Sequence, residues 1–143
     1  MNVITLIGRT LFALAFIYLG ISSHFSAVSI GYAEGQGAPM ASILVPFSGI
    51  MAVLGGISVL LGYKAKIGAW ILILFLLPVT FMMHNFWAIT DPMAAMMQKV
   101  TFLKNLSMIG GALMIAHFGA GPLSLDARVA AAPIQPVQTR ATA

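Results

Sequence analysis

The sequence contains four long apolar stretches, at about residues 4–23, 41–62, 67–89 and 100–120. A bilayer core about 30 Å thick requires roughly 20 residues of α-helix, so each stretch is long enough to span a membrane. The stretches are continuous rather than alternating, which favours helices over the strands of a membrane barrel. The sequence therefore predicts an all-α integral membrane protein, folded as an antiparallel four-helix bundle.

The composition supports a membrane protein over a soluble domain. Apolar residues make up 60% of the 143 residues and charged residues only 7%, whereas soluble domains are about 25% charged. The net charge of +4 comes from scattered side chains without a basic run, so nucleic acid is not an expected partner. Cysteine is absent, which excludes disulfides and thiolate chemistry.

One domain is predicted over residues 1–126, followed by a disordered tail over 127–143 that is rich in Ala, Pro, Gln and Thr. Residues 24–40 contain several glycines and are predicted to form a loop outside the bilayer. Asp91 followed by Pro92 is typical of a helix start. A cleaved signal peptide is the alternative for the first span, but its removal would break the charge pattern described next.

The positions of the basic residues predict the orientation, because cytoplasmic loops of membrane proteins carry more Lys and Arg. With four spans, one side of the membrane holds five basic residues and the other holds two. The five are Arg9, Lys64, Lys66, Arg128 and Arg140, and the two are Lys99 and Lys104. Both termini are therefore expected in the cytoplasm.

A candidate ligand pocket is predicted near the outer face. His84 is expected about five residues inside the end of the third helix, and Lys104 at a similar depth in the fourth. The pocket residues are His84, Asn85, Trp87, Lys104 and Asn105. Ionisable residues within a span are costly and are therefore functional candidates. Lys104 would suit an anionic group and the aromatic side chains a flat ring, such as a quinone headgroup. The alternative is a lysine that extends to the interface beside belt aromatics.

Other polar residues carry weaker hypotheses. Arg9 and Asp126 are predicted to lie near the inner face in a structural role, either paired with each other or with Arg9 on a lipid phosphate. Haem bound between His24 and His84 is disfavoured because His24 lies close to a loop. Copper on the outer methionines is disfavoured because Met also serves as a packing residue. No metal site is predicted, and the sequence has no complete catalytic motif.

Several short motifs resemble those of the DoxX family. They are His84-Asn85-Phe86-Trp87, Phe102-Leu103-Lys104-Asn105-Leu106, Gly110-Gly111-Ala112-Leu113 and Gly121-Pro122-Leu123-Ser124-Leu125-Asp126. Arg9 and Tyr18-Leu19-Gly20 resemble the family's first helix, and the likeness covers about residues 5–126. Family members often have a further glycine after the proline of the last motif. The resemblance implies a bacterial inner-membrane protein associated with redox complexes and quinone.

These observations lead to three functional hypotheses. The leading one is an accessory or quinone-contacting subunit of a membrane redox complex. The second is a structural or assembly partner without a cofactor, and the third is a small-molecule transporter. Whether the chain is an enzyme is left open. The expected partners are the lipid bilayer and other membrane subunits or further copies of the chain.

Overall fold

The computed structural model describes residues 2–131. Within that range the chain forms six α-helices and no strand. They are α1 (Asn2–Ser23), α2 (Ala27–Gly35), α3 (Ala41–Leu61), α4 (Ala65–Met83), α5 (Pro92–Phe118) and α6 (Leu125–Ala131), with a 3-10 turn at Phe86–Ala88. The fold is therefore all-α.

Four of the helices, α1, α3, α4 and α5, are long and apolar enough to cross a membrane. Close backbone packing joins α1 to α3, α3 to α4, and α4 to α5. Helices that follow one another along the chain thus lie side by side and run in opposite directions. The predicted antiparallel four-helix membrane bundle is confirmed.

Glycines allow α3 to approach both of its neighbours closely. A Cβ atom on Gly56 would lie 2.8 Å from Cγ1 of Ile17 in α1. A Cβ atom on the adjacent Gly55 would lie 3.0 Å from the carbonyl oxygen of Gly68 in α4. Small residues at such contacts are typical of helix packing in membranes, where close van der Waals contact drives association. The centre of the fold is therefore α3, held between α1 and α4.

The segment predicted as a loop, residues 24–40, contains a helix. Ser26 begins α2 as its N-cap, because its hydroxyl accepts a hydrogen bond from the N–H of Ser29 at 3.1 Å. Gly37 follows the helix at φ +81° and Met40 precedes α3 at φ 46°, so the chain turns twice before re-entering the bundle. The glycine content of this segment indicated a loop, but the capped helix includes Gly31 and Gly35.

The third span ends earlier than predicted. The apolar stretch was expected to be helical to Ile89, but α4 ends at Met83 and His84 leaves the helix at φ −123°. The apolar composition continues through the 3-10 turn at Phe86–Ala88, so hydropathy alone does not mark the helix end. The start of α5 agrees with the prediction, since the Asp91 carboxylate accepts the N–H of Ala94 at 2.7 Å.

The predicted tail begins with ordered structure. Helix α6 covers Leu125–Ala131, so the first residues assigned to a disordered tail are helical. The hydroxyl of Ser124 accepts the N–H of Ala127 at 3.2 Å and thereby caps this short helix. Residues 132–143, which include Arg140 and the rest of the predicted tail, lie outside the described residues.

Candidate functional site

A large cavity occupies the half of the bundle that contains the carboxyl end of α1. Its volume is about 890 Å³, and residues from α1 to α5 line it. Phe16, Ala52 and Phe75 belong both to its wall and to the hydrophobic core. The wall is chiefly apolar. Its polar side chains are Ser23, His24, Ser29, Tyr32, Ser48, His84, Thr101, Lys104 and Asn105.

Helix α2 covers the end of this cavity. Val28, Ser29, Tyr32 and Ala33 of α2 all line it, and α2 connects the ends of α1 and α3 at this side of the bundle. Ala33 is only 3% exposed, so the short helix is packed against the bundle rather than projecting from it. The cavity is therefore roofed by protein on the side that faces out of the bilayer.

A chain of hydrogen bonds ties α2 to the ends of α4 and α5. Nδ1 of His84 lies 2.6 Å from Oε1 of Gln98, and since that oxygen only accepts, the histidine nitrogen donates. Nε2 of Gln98 donates to the hydroxyl of Tyr32 at 3.1 Å. The Tyr32 hydroxyl in turn donates to the carbonyl oxygen of Met83 at 3.0 Å. The roof is thus held in place by polar contacts.

The structure separates the predicted outer pocket into two groups. His84, Lys104 and Asn105 line the cavity, whereas Asn85 and Trp87 do not. Trp87 is 59% exposed and packs edge-on against the rings of Phe86 and Phe102. His84 does not lie five residues inside a helix as predicted, because it is the C-cap of α4. The early end of α4 is what directs Asn85 and Trp87 away from the cavity.

Lys104 and Asn105 supply polar groups to the wall from α5. Lys104 is exposed, and its ammonium group forms no salt bridge or hydrogen bond with any residue of the range 2–131. Asn105 is only 6% exposed, and its side-chain amide likewise has no hydrogen-bond partner among the described residues. Because the side chain lines the cavity and its amide can both donate and accept hydrogen bonds, Asn105 is suited to a polar group that enters the cavity.

At the opposite end of the bundle, Arg9 holds the segment after α5. Its guanidinium donates to the carbonyl oxygen of Ala120 at 2.5 Å and to that of Leu123 at 2.9 Å. The side chain is buried, with 6% exposed. The N–H of Asp126 donates to the carbonyl oxygen of Gly62 at 2.8 Å. We call Arg9, Gly62, Ala120, Leu123 and Asp126 the Arg9 clasp.

Asp126 does not pair with Arg9. Its carboxylate instead accepts the N–H groups of Lys64 at 2.7 Å and Ala65 at 3.1 Å. These groups begin α4, whose own N-cap residue makes no side-chain cap, so Asp126 caps that helix from a distant part of the chain. The sequence placed Arg9 and Asp126 at the same end of the bundle, and in the structure each binds backbone there.

Sequence reasoning missed Tyr32, Gln98 and Ser48, which contribute to the roof or the wall. Tyr32 lies in the segment that was predicted to be a loop, and Gln98 lies between the predicted helix start at Asp91 and the apolar stretch that begins at about residue 100. The one available signal for α2 was the pair Ser26 and Ser29, two serines three residues apart. Ser48 carries no distinguishing pattern within an apolar span.

Comparison with known proteins gives a consistent family assignment. The SURF4 family model matches residues 2–130. The chain is 30% identical over 127 residues to "Inner membrane protein YphA" of Escherichia coli, which covers 88% of this chain and 90% of that protein. It is 31% identical to the "Surfeit locus protein 4 homolog" of Schizosaccharomyces pombe over 85% of this chain. It is 34% identical over 80 residues to "ER-derived vesicles protein ERV29" of Saccharomyces cerevisiae.

The two yeast proteins are much longer. The aligned region spans 36% of the fission yeast relative and 26% of the budding yeast relative. No solved structure matches the chain significantly.

The resemblance to DoxX is wrong, because the matching family model and the yeast relatives are SURF4 and its homologues. The hypothesis of a quinone-contacting redox subunit, which was linked to that resemblance, is wrong for the same reason. The last of the motifs that suggested DoxX has a structural role here. In it, Ser124 caps α6 and Asp126 caps α4, which are requirements of packing rather than of redox chemistry.

Proposed function

Because the chain belongs to the SURF4 family, whose model matches residues 2–130, and encloses a large intramembrane cavity, we propose that it is a membrane-embedded binding protein for an amphiphilic molecule. The cavity carries this proposal. Its volume of about 890 Å³ lies within the range of about 300–1,000 Å³ of small-molecule sites, which are likewise mostly apolar with a few polar groups.

The depth of the cavity suits an extended apolar chain. Its wall on α1 extends from Phe16 to Ser23, which at 1.5 Å per residue is about 10 Å along the helix. Apolar side chains such as Phe16, Phe75 and Met108 line the deeper part. The polar groups lie on the residues nearer to α2, so the apolar end of a ligand would be deepest.

The packing of the helices favours entry from the lipid. Close backbone contacts between α1 and α5 are few at most, and a side chain lies between these helices, since a Cβ atom on Gly111 would lie 3.0 Å from Cε2 of Phe12. Beyond that contact α1 and α5 both line the cavity. With α2 as the roof, the gap between α1 and α5 is the proposed route for a molecule dissolved in the bilayer.

A cavity-filling substitution tests the binding function. Ser48 lines the cavity from α3, and Ser48→Phe places a ring in the space that a ligand chain would occupy. In membranes that contain a photoreactive monoacylglycerol, we expect labelling of cavity-lining peptides to fall by about tenfold, because an occupied site leaves no room for the chain. Labelled peptides are quantified by mass spectrometry.

The matched control is Ile50→Phe. Ile50 lies on the same helix, is 46% exposed and does not line the cavity, so its replacement should leave cavity labelling unchanged. Uniform labelling of lipid-facing and cavity-lining peptides, unaltered by either substitution, would contradict the proposed function.

For the location, the proposal is a bacterial inner membrane with both termini in the cytoplasm. The support is the likeness to the Escherichia coli inner membrane protein over 90% of its length, together with the excess of basic residues on one side. Association with further membrane subunits or with a second copy remains a prediction from the sequence.

Cysteine labelling tests the orientation, because the native chain has no cysteine and gives no background. Glu34 on α2 and Tyr63 between α3 and α4 are both exposed and lie at opposite ends of the bundle. In intact spheroplasts, a membrane-impermeant maleimide is expected to label Glu34→Cys at once and Tyr63→Cys only after permeabilisation. The reverse pattern would place the termini outside the cytoplasm.

A further inference from the structure

The chemistry of the cavity wall defines the head of the ligand more closely. We propose that the bound amphiphile has an anionic head, a carboxylate or a phosphate, held by the ammonium group of Lys104 and the side-chain amide of Asn105. This inference rests on the proposed binding function.

The charge on the wall is of one sign. Lys104 is the one Lys, Arg, Asp or Glu residue among the described residues that line the cavity. The chain has three acidic residues in all, and none lines the cavity. Asp91 and Asp126 cap α5 and α4 respectively, and Glu34 is exposed on α2 and is not among the lining residues. Nothing on the wall neutralises the lysine.

The position of Lys104 makes this charge significant. It lies about four residues, or about 6 Å along the helix axis, inside the apolar stretch of about residues 100–120. An ammonium group within the apolar part of a bilayer is costly unless an anion accompanies it. An anionic head supplies that partner, and a charge-assisted hydrogen bond is roughly twice as strong as a neutral one.

Asn105 adds directionality beside the charge. Its side chain is more than nine-tenths buried, lines the cavity and has no partner within residues 2–131. An amide NH₂ group can donate two hydrogen bonds, which suits the oxygens of a carboxylate or phosphate. His84 is less available, because its Nδ1 is occupied by Gln98. Lys104 and Asn105 are therefore the expected contacts.

The test uses three photoreactive probes with the same acyl chain: a fatty acid, a lysophosphatidic acid and a neutral monoacylglycerol. They are applied to the full chain in nanodiscs, and cavity-lining peptides are quantified by mass spectrometry. Lys104→Met is expected to lower labelling by the anionic probes by about tenfold and to leave neutral labelling unchanged. Lys104→Arg keeps the charge and should retain most of the anionic labelling.

Lys99→Met is the matched control, because Lys99 is an exposed lysine of the same helix that does not line the cavity. Preference for the fatty acid would identify a carboxylate head, and preference for the lysophosphatidic acid a phosphate head. Equal labelling by all three probes, unaffected by Lys104→Met, would overturn the anionic head while leaving amphiphile binding intact. Failure of every probe to label the cavity would overturn both proposals.

Discussion

Gly68→Leu is expected to lower the free energy of unfolding by about 3 kcal/mol, because overpacking at a rigid contact costs that order of energy. A Cβ atom on Gly68 would overlap Oγ of Ser58, lie 2.6 Å from its Cβ and lie 3.0 Å from the carbonyl oxygen of Gly55. Ser58 has little freedom to move, since its hydroxyl donates to the carbonyl oxygen of Tyr63 at 2.7 Å. The α3–α4 crossing would have to open.

Gly110→Leu is the matched control. Gly110 lies inside α5, is exposed, and a Cβ atom there would meet nothing within 4 Å. Its replacement should leave stability unchanged or raise it by up to about 1 kcal/mol, because glycine is a poor helix former. Unfolding in increasing SDS, followed by circular dichroism, compares the two variants. Equal midpoints for Gly68→Leu and Gly110→Leu would refute the importance of the α3–α4 crossing.

The membrane fold was predictable from the sequence because the length and continuity of the apolar stretches report the thickness of a bilayer. The start of α5 was predictable because Asp91 and Pro92 are local signals. The end of α4 was not predictable, because apolar residues continue beyond Met83. Hydropathy indicates which residues lie within the bilayer, but it does not indicate their backbone conformation. Helix α2 was missed because the glycines at positions 31, 35 and 37, two of which lie within the helix, outweighed the Ser26 cap.

The candidate site was predictable in part for a geometric reason. Antiparallel helices bring the end of one span beside the start of the next, which predicted His84 on the same side of the bundle as Lys104 and Asn105, and all three line the cavity. The roof was beyond such reasoning, because Tyr32 and Gln98 meet through the tertiary packing of α2 on α5. The cavity itself is lined by residues from five helices, an arrangement that no single segment encodes.

The error about the family also has a physical basis. Short motifs in small membrane bundles meet common needs: a turn after a helix, a cap for the next one, and a buried cation that binds free carbonyl groups. Gly121 adopts φ +81°, and Ser124 and Asp126 cap helices. Residues that satisfy such needs recur in proteins with unrelated functions. They therefore indicate the architecture of a protein more reliably than its chemistry.

The second large effect is expected at Arg9. Replacement by leucine removes two hydrogen bonds from a charged donor and leaves the carbonyl oxygens of Ala120 and Leu123 without their partner. Hydrogen bonds to charged groups contribute about 1.5–3 kcal/mol each, and removal of a buried charge returns part of that cost. We expect a net loss of about 3 kcal/mol, concentrated in the segment that leads to α6.

Limited proteolysis separates this local effect from general unfolding. Trypsin cleaves after Arg128, which is exposed on α6, but cleavage requires the helix to open. In detergent at constant trypsin, we expect Arg9→Leu to raise the rate of that cleavage by about tenfold or more, in keeping with about 1.4 kcal/mol per factor of ten. Arg9→Lys, which keeps the charge but not the two-pronged donor geometry, should lie between it and the native chain.

Lys66→Met supplies the control at the same end of the bundle, because Lys66 is exposed and forms no hydrogen bond with the described residues. Trypsin should cleave this variant after Arg128 at the native rate. If Arg9→Leu cleaves no faster than Lys66→Met, the segment after α5 is held by its apolar contacts and the Arg9 clasp contributes little. If cleavage after Arg128 rises while the SDS midpoint of the bundle is unchanged, the clasp fixes α6 independently of the four long helices.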